Sequence, residues 1–332
     1  MIVVTGALGF IGSNLLCSLE KRGYTKIIGV DNFGNESKWK NVSKRSYVYF
    51  VFPDQLKSFM QSNVGNIRAV IHLGGITSTT ETNVDSIVKT NIHLTIDLYQ
   101  FCKENGIQFI YASSASTYGD GSMGFEDKED FDYLCSLSPL NAYGWSKCYI
   151  DKFIVFDRER NRTRSQVVGL KFFNVYGPNE YHKGNQTSVV YKFYREILNT
   201  HMVNLFKSHK EEYNDGCQKR DFVYVQDCTN VILWFLEHPV VSGLFNIGSG
   251  QARTFNDVAN LTIEFSGINS KINYVDMPEV LTQHYQYYTL ANIEKLRSVG
   301  YLEEMTSLEK GIKLYVEGFL KNLQYKNILI YV

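Results

Sequence analysis

The β-type run Ile2-Val3-Val4 leads straight into Thr5-Gly6-Ala7-Leu8-Gly9-Phe10-Ile11-Gly12, and a helical pattern opens at the last of these glycines. Few folds admit a strand, a glycine turn and a helix start in that order. Gly6 permits a tight turn, Gly9 lets backbone approach a pyrophosphate, and Gly12 lets the helix pack close to the strand. The helix N-terminus offers unpaired N–H groups to the phosphates. Asp31 ends the next β-type run, Lys26–Val30, about twenty residues on, where a carboxylate accepts from an adenosine ribose. Position, flanks and acid together make this a dinucleotide fingerprint.

The same alternation continues: a helix from about Gly12 to Lys21, strands at Ala69–Leu73 and Phe109–Tyr111, a helix near Val88–Glu104 and a strand at Val167–Phe173. Alternating strands and helices predict βαβ units. The expected fold is therefore α/β, a doubly wound parallel sheet of the Rossmann kind with a smaller α/β substrate-binding lobe. Residues 1–175 are expected to form the dinucleotide domain, completed by segments around 220–250. Residues 176–332 are expected to form mainly the second lobe, with helices near Val189–Leu198 and Val225–Leu236, a polar stretch at Ser208–Lys219 and a strand at Leu244–Ile247.

Thirty-four basic and thirty-four acidic residues cancel, so no global field favours nucleic acid or an anionic membrane. No apolar run reaches the length of a membrane span, and Met1 leads into a strand without a basic leader, so a cytoplasmic protein is expected. Six scattered cysteines form no C-x-x-C pair, and no histidines cluster at ligand spacing. Free thiols and no metal site follow.

Ser113-Ser114-Ala115-Ser116-Thr117-Tyr118-Gly119 follows a predicted strand, so its hydroxyls belong at the carboxyl end of the sheet, where such folds bind ligands. Tyr143 and Lys147 stand four apart in Asn141-Ala142-Tyr143-Gly144-Trp145-Ser146-Lys147, which on a helix puts both on one face. An ammonium beside a phenol, together with a positive nicotinamide ring, favours phenolate. Ser114, Tyr143 and Lys147 thus suit redox chemistry on a hydroxyl group. Asp31 alone favours NAD, because a carboxylate repels a 2′-phosphate, but Asn32 and Lys38 can bond and neutralise such a phosphate. NAD and NADP both stay open on these residues.

The small-residue loop His72-Leu73-Gly74-Gly75-Ile76-Thr77-Ser78-Thr79-Thr80-Glu81 suits close approach of the nicotinamide half, with His72 read as packed or capping rather than catalytic. Lys183, in Gly177-Pro178-Asn179-Glu180-Tyr181-His182-Lys183-Gly184, either faces the same pocket or is a surface-loop lysine. Arg220, in Lys219-Arg220-Asp221-Phe222-Val223-Tyr224-Val225, either holds a nucleotide diphosphate or pairs with Asp221.

Over nearly its whole length the chain resembles the extended short-chain dehydrogenase/reductase superfamily and, within it, the ADP-L-glycero-D-manno-heptose 6-epimerase family. The blocks that carry the narrower resemblance are Ser78–Glu81, Tyr111–Gly119, Phe173–Gly184, Arg220–Asp227 and Met277–Thr289. The resemblance implies Tyr143 and Lys183 as two acid/base residues on opposite faces of a heptose C6, supported by Lys147 and Ser114. It implies NADP, held through Phe10, Ile11, Asp31, Asn32, Lys38, Leu73, Gly74, Gly75, Ile76, Thr77, Asn91, Lys147 and Val175. Asn174, Phe206, Arg220 and Tyr285 match positions that contact the nucleotide sugar, and Asn185 and Lys192 stand at substrate-side positions where the family usually has other residues. His284 replaces an expected Arg or Lys, and Tyr47–Pro53 lacks the family's adenine-side residues. A homo-oligomer is implied.

The expected reaction is a redox-neutral epimerisation of a nucleotide-activated heptose at C6 through a transient 6-keto sugar. The alternatives are an epimerase or dehydratase that oxidises C4 of another nucleotide sugar, and a non-catalytic NADP-binding regulator. Ser116-Thr117 stands where a dehydratase wants a carboxylate pair, and a regulator predicts a damaged Tyr143/Lys147 dyad, whereas both residues are present.

Overall fold

The computed structural model describes residues 1–34, 37–161, 165–278 and 285–323. They divide into two compact units. The first comprises Met1–Phe172, Cys228–Ile247 and Asn292–Leu302; the second comprises Phe173–Asp227, Gly248–Ala291 and Glu303–Val332.

In the first unit, β1 (Ile2–Thr5), α1 (Phe10–Lys21), β2 (Ile27–Val30), β3 (Val48–Val51), α2 (Leu56–Ser62) and β4 (Ala69–His72) follow one another. Then come α3 (Val84–Ile87), a π-type turn at Val88–His93, α4 (Leu94–Asn105), β5 (Gln108–Ser114), α5 (Phe131–Ser136), α6 (Ala142–Arg160) and β6 (Val167–Phe172). With the strand Gly243–Ile247, these strands form one seven-stranded sheet whose paired neighbours are all parallel. The order is Gly243–Ile247, β6, β5, β4, β1, β2, β3. β1, β2 and β4 are buried at every residue, as expected where helices cover both faces.

The register lines up the carboxyl ends. Thr5 lies beside Val30 and His72, and Ser114 beside Phe172. The strand order reverses between β1 and β4, and in open α/β sheets ligands bind at such a reversal. The helix Val225–Glu237 leaves carbonyls without helical partners at its end. Two of them are satisfied inside the unit: Gln166 Nε2 donates to Phe235 O (2.9 Å) and Arg68 Nη2 to Leu236 O (2.9 Å).

The second unit has a three-stranded sheet, Ala252–Thr254, Lys219–Tyr224 and Asn174–Tyr176, and a two-stranded parallel sheet, Lys271–Val275 with Met202–Phe206. Its helix Val189–Thr200 buries Val190, Phe193, Tyr194 and Ile197, the i, i+3, i+4, i+7 stripe of an amphipathic helix. That stripe packs in one cluster with Val203, Leu205, Phe222, Val258, Ile312 and Tyr315. The helix Phe255–Ser266 begins with a reciprocal cap between Thr254 and Asp257 and ends at the left-handed Gly267. Arg220 was not predicted to lie on a strand; pairing with Ala252–Thr254 and Asn174–Tyr176 makes it one.

No described helix is long and apolar enough to cross a membrane. Among the described residues no group of three or more His, Cys, Asp or Glu could hold a metal. None of the six cysteines is in a disulfide.

Candidate active site

The glycine turn is closed by its own backbone. Gly9 N–H donates to Gly6 O (3.0 Å), and Gly6 has φ +65°. A Cβ on Gly6 would lie 2.7 Å from Gly74 N, and one on Gly12 would lie 2.1 Å from Gly6 O. Both obstacles are backbone and cannot rotate away, so these two positions exclude side chains. A Cβ on Gly75 would meet Asn91 Oδ1 at 2.9 Å and Lys147 Nζ at 3.8 Å. The loop after β4 therefore leaves a side-chain-free cradle beside the turn. No side chain caps α1 at Gly9. A dinucleotide fits this donor set and shape.

Asp31 pins the turn from the end of β2: Oδ2 accepts from Leu8 N–H (2.9 Å), and Oδ1 accepts from Asn32 N–H (2.8 Å) and Lys38 Nζ (2.6 Å). Lys38 also donates to Asn32 O (3.2 Å). The ion pair offsets the carboxylate charge that repels a 2′-phosphate.

Asn91 lies in the π-type turn, fully buried. Its Oδ1 accepts from Ile76 N–H (2.8 Å), and its Nδ2 donates to Ile76 O (2.9 Å) and Ser146 Oγ (3.1 Å). The amide thus holds the Leu73–Thr77 loop to the helix that carries Tyr143 and Lys147. His72 sets the other end of the loop. Gly74 N–H donates to Thr5 Oγ1 (3.1 Å), which pairs with His72 Nδ1 (2.6 Å). His72 Nε2 meets Thr95 Oγ1 (2.9 Å), whose own proton goes to Asn91 O (2.5 Å). Because Thr95 can only accept from the ring, Nε2 carries the proton and Nδ1 accepts from Thr5. Burial, helped by the charge of Lys147, lowers His72 to about 3 and keeps it neutral.

Ser114 ends β5, and its Oγ accepts from Ser116 N–H (3.1 Å). Its hydroxyl proton is then available to Tyr143, with which it is hydrogen-bonded. Asn141 caps α6 by accepting from Gly144 N–H (2.9 Å), which sets the turn on which Tyr143 stands. Lys147 is buried and donates to Ala112 O (2.8 Å). Burial lowers its ammonium to about 8, against the opposing pull of Asp151.

One expectation from the residues is corrected here. The phenol of Tyr143 is raised, not lowered: burial dominates, the Ser114 hydrogen bond pulls it down, and the charge of Asp151 pushes it up. The Lys147 ammonium is itself buried and bonded to Ala112 O, and burial outweighs the pull of the Ser114 hydrogen bond at the phenol.

The remaining candidates belong to the second unit. Arg220 is buried, its Nη1 donating to Lys219 O (3.0 Å) and its guanidinium carbon 5.4 Å from the Tyr285 ring centre and 6.0 Å from that of Phe255. Burial lowers it to about 10. The competing pairing with Asp221 is not made: that carboxylate accepts instead from Ser249 N–H (2.6 Å), Gly250 N–H (3.0 Å) and Ala291 N–H (3.0 Å). Among the described residues no carboxylate pairs with Arg220. Tyr285 also meets Phe206 edge to face, with centroids 6.3 Å apart. Arg220, Tyr285 and Phe206 are thus brought together as a cationic, aromatic cluster suited to a nucleotide diphosphate.

Lys183 forms a second cluster with Glu180 and Lys192. Burial lowers its ammonium, Glu180 raises it and Lys192 lowers it further. Glu180 is itself buried, accepting from both the amide and the hydroxyl of Ser188. Asn174 and Asn185 are exposed and Val175 half-buried. His284 lies outside the described residues. Asp151 and Lys171, which join the α6 helix to Thr117 of the Ser114 turn, are not found by the sequence reading. The available signals were an acid four residues after Lys147 and a lysine inside an apolar strand.

The model of the NAD dependent epimerase/dehydratase family matches residues 2–248. The chain belongs to that family. It is 43% identical over 328 residues to an ADP-L-glycero-D-manno-heptose-6-epimerase of Fusobacterium nucleatum, covering 96% of this chain and 98% of the relative. A crystal structure of the Helicobacter pylori ADP-L-glycero-D-manno-heptose-6-epimerase matches with TM-score 0.77 and 27% identity, over 96% of this chain and 95% of that one. A UDP-N-acetylglucosamine 4-epimerase of Methanobrevibacter ruminantium matches with TM-score 0.81 at 22% identity, over 97% and 98% of the two chains, a likeness of fold alone.

Proposed function

We propose that this family member inverts C6 of an ADP-activated heptose, converting ADP-D-glycero-D-manno-heptose to ADP-L-glycero-D-manno-heptose through a 6-keto sugar with no net redox change. The observation that carries the reading is the full-length likeness to heptose 6-epimerases at 43% identity. The hydrogen-bonded Ser114–Tyr143 pair, with Lys147 four residues along the same helix, supports it.

The chemistry a bound nicotinamide supplies is reversible hydride acceptance from the sugar carbon. Gly6, Gly9, Gly12, Phe10 and Ile11 hold its diphosphate side, and the Leu73–Thr77 loop takes the nicotinamide half. Asn91 contributes by shaping that loop. Ser114 orients the C6 oxygen, and Tyr143 exchanges its proton. C6 lies outside the pyranose ring, so rotation about C5–C6 moves the oxygen to a second place, where Lys183 exchanges the proton. Each acid/base residue contributes about a hundredfold or more. Arg220 takes the diphosphate of the sugar nucleotide, Phe206, Tyr285 and Asn174 its remaining surface, and Asn185 and Lys192 the sugar side. A homo-oligomer is the proposed assembly.

The alternative, oxidation at C4, rests on likeness to solved C4 epimerases at 22–26% identity, well below the 43% of the heptose enzyme. Its dehydratase form also lacks an elimination group: the Thr117 hydroxyl is engaged with Lys171 and with Ser114 O.

The test is turnover of ADP-D-glycero-D-manno-heptose without added cofactor, followed by NMR at H6. Deuterium placed at C6 is expected to remain in the product. Loss of that label to solvent, or turnover only of another nucleotide sugar, overturns the reading.

For the cofactor we propose NADP, with Lys38 and Asn32 as the 2′-phosphate ligands. Mass measurement of the nucleotide released on mild denaturation is expected to give NADP. Lys38→Ala is expected to weaken NADP binding by about tenfold or more, the range of one charged hydrogen bond, and NAD binding little. Equal loss for both nucleotides counts against the assignment.

A further inference from the structure

We propose that Lys171 is a positioning residue for the reaction, holding the Ser114 turn against the helix of Tyr143 and Lys147 through its contacts with Asp151 and Thr117. The inference deepens the proposed function and rests on its assignment of Ser114, Tyr143 and Lys147.

Tyr143, Lys147 and Asp151 follow one another at four-residue steps on α6, so they share one face. Lys171 sits in β6, and both its side chain and that of Asp151 have 0% exposure. Lys171 Nζ donates to Asp151 Oδ2 (2.7 Å) and to Thr117 Oγ1 (2.8 Å). Thr117 Oγ1 in turn donates to Ser114 O (2.8 Å). One ammonium therefore ties the catalytic helix to the turn that carries the catalytic serine.

Two donors from β5 complete the carboxylate. Tyr111 Oη reaches Asp151 Oδ1 (3.0 Å) and Ser113 Oγ reaches Oδ2 (2.7 Å). Gly169 makes room for the first of these, since a Cβ there would lie 2.5 Å from Tyr111 Oη. Lys171 Nζ also lies 4.8 Å from the centre of the Tyr118 ring. That ring is anchored by Tyr118 Oη donating to Asn246 Oδ1 (2.6 Å). With donors from two strands converging on one carboxylate, α6 can neither turn about its axis nor slide along the sheet without breaking a buried, charged hydrogen bond.

Stability does not account for this arrangement. Burying two charges costs desolvation that their attraction barely repays, and apolar residues of similar volume often serve as well. Directional bonds, which apolar packing lacks, explain it better. They matter here because a misplacement of about 1 Å at reacting groups costs on the order of a hundredfold in rate.

The charge-neutral double variant Asp151→Asn/Lys171→Met avoids stranding a buried charge. It is tested as the full-length protein with ADP-D-glycero-D-manno-heptose. A kcat about a hundredfold lower, with KM within about threefold and bound nucleotide retained, is expected. A kcat within threefold of the parent overturns the inference. So does a joint loss of kcat, substrate affinity and nucleotide, which marks the pair as merely structural. If the double variant does not fold, Thr117→Val decides: it leaves the ion pair in place and removes only the link to Ser114. Its kcat is expected to fall about tenfold at unchanged KM, and an unchanged kcat overturns the inference. Tyr143→Phe separates the two readings. An active Tyr143→Phe protein sinks the catalytic assignment itself, whereas an inactive one beside fully active network variants sinks only the role of Lys171.

Discussion

Tyr143→Phe is expected to lower turnover by about 10²–10⁴-fold, the range contributed by one positioned acid or base, without loss of fold or bound nucleotide. The substitution removes one oxygen and leaves the ring in place. In the folded protein burial holds this phenol above its ordinary value, and only the Ser114 hydrogen bond acts strongly in the other direction. The group is therefore a proton donor at rest and needs added positive charge to become the base. Ser114→Ala removes the opposing hydrogen bond while leaving the phenol, so its effect is expected to be smaller, about tenfold to a hundredfold. NMR at H6 gives the rates, and nucleotide absorbance after denaturation shows whether the site still loads. Turnover in Tyr143→Phe within tenfold of the parent removes the residue from the chemistry.

Acid is expected to destabilise the protein through His72. The folded-state value is about 3 and the ordinary one 6.5, so between these the unfolded chain binds the extra proton. Stability then rises with pH across this window and is lost as pH falls through it. At about 1.4 kcal/mol per pH unit, the full interval amounts to about 5 kcal/mol, a large part of the 5–15 kcal/mol typical of a domain. The cause is burial, with the charge of Lys147 adding to it. A second ring proton would sit at Nδ1, where the Thr5 hydroxyl would have to turn its own proton away.

Other buried groups act in the opposite direction. Burial raises Asp127, Glu180 and Asp221, so each favours the folded state as pH falls. The measurement is therefore a difference. Urea denaturation at several values between pH 4 and 7 is expected to give His72→Gln a lower stability at neutral pH but a shallower slope, by up to one proton. Parallel slopes for parent and variant would assign the acid sensitivity elsewhere.

The glycine turn, Asp31 and the strand–helix rhythm were legible because each depends on short-range geometry. Gly6 sits at positive φ, and Gly12 faces the carbonyl of Gly6, so local sterics restrict these positions wherever the chain goes next. The Tyr143/Lys147 spacing was legible for the same reason, since a helix converts a four-residue step into one face.

Less was legible where partners come from distant segments. Nothing near Arg220 in sequence shows that Asp221 is saturated by Ser249, Gly250 and Ala291, so that among the described residues no carboxylate pairs with the guanidinium. The strand Met202–Phe206 exists through parallel pairing with Lys271–Val275, and no local pattern announces it. In sequence Lys171 is only a charge inside an apolar run. Its partners Asp151 and Thr117 come from a helix and a turn elsewhere in the fold.

The order of residues by itself determined the turn, the helix face that carries phenol and ammonium, and the alternation that builds a parallel sheet, because bond geometry and periodicity act over a few residues. Only the tertiary structure decided how those groups are charged and held. It raised the phenol of Tyr143, bound Lys147 to Ala112 O, kept His72 neutral between two threonines and locked Asp151 to Lys171. Burial and hydrogen-bond partners set a proton's affinity, and both are properties of the packed chain.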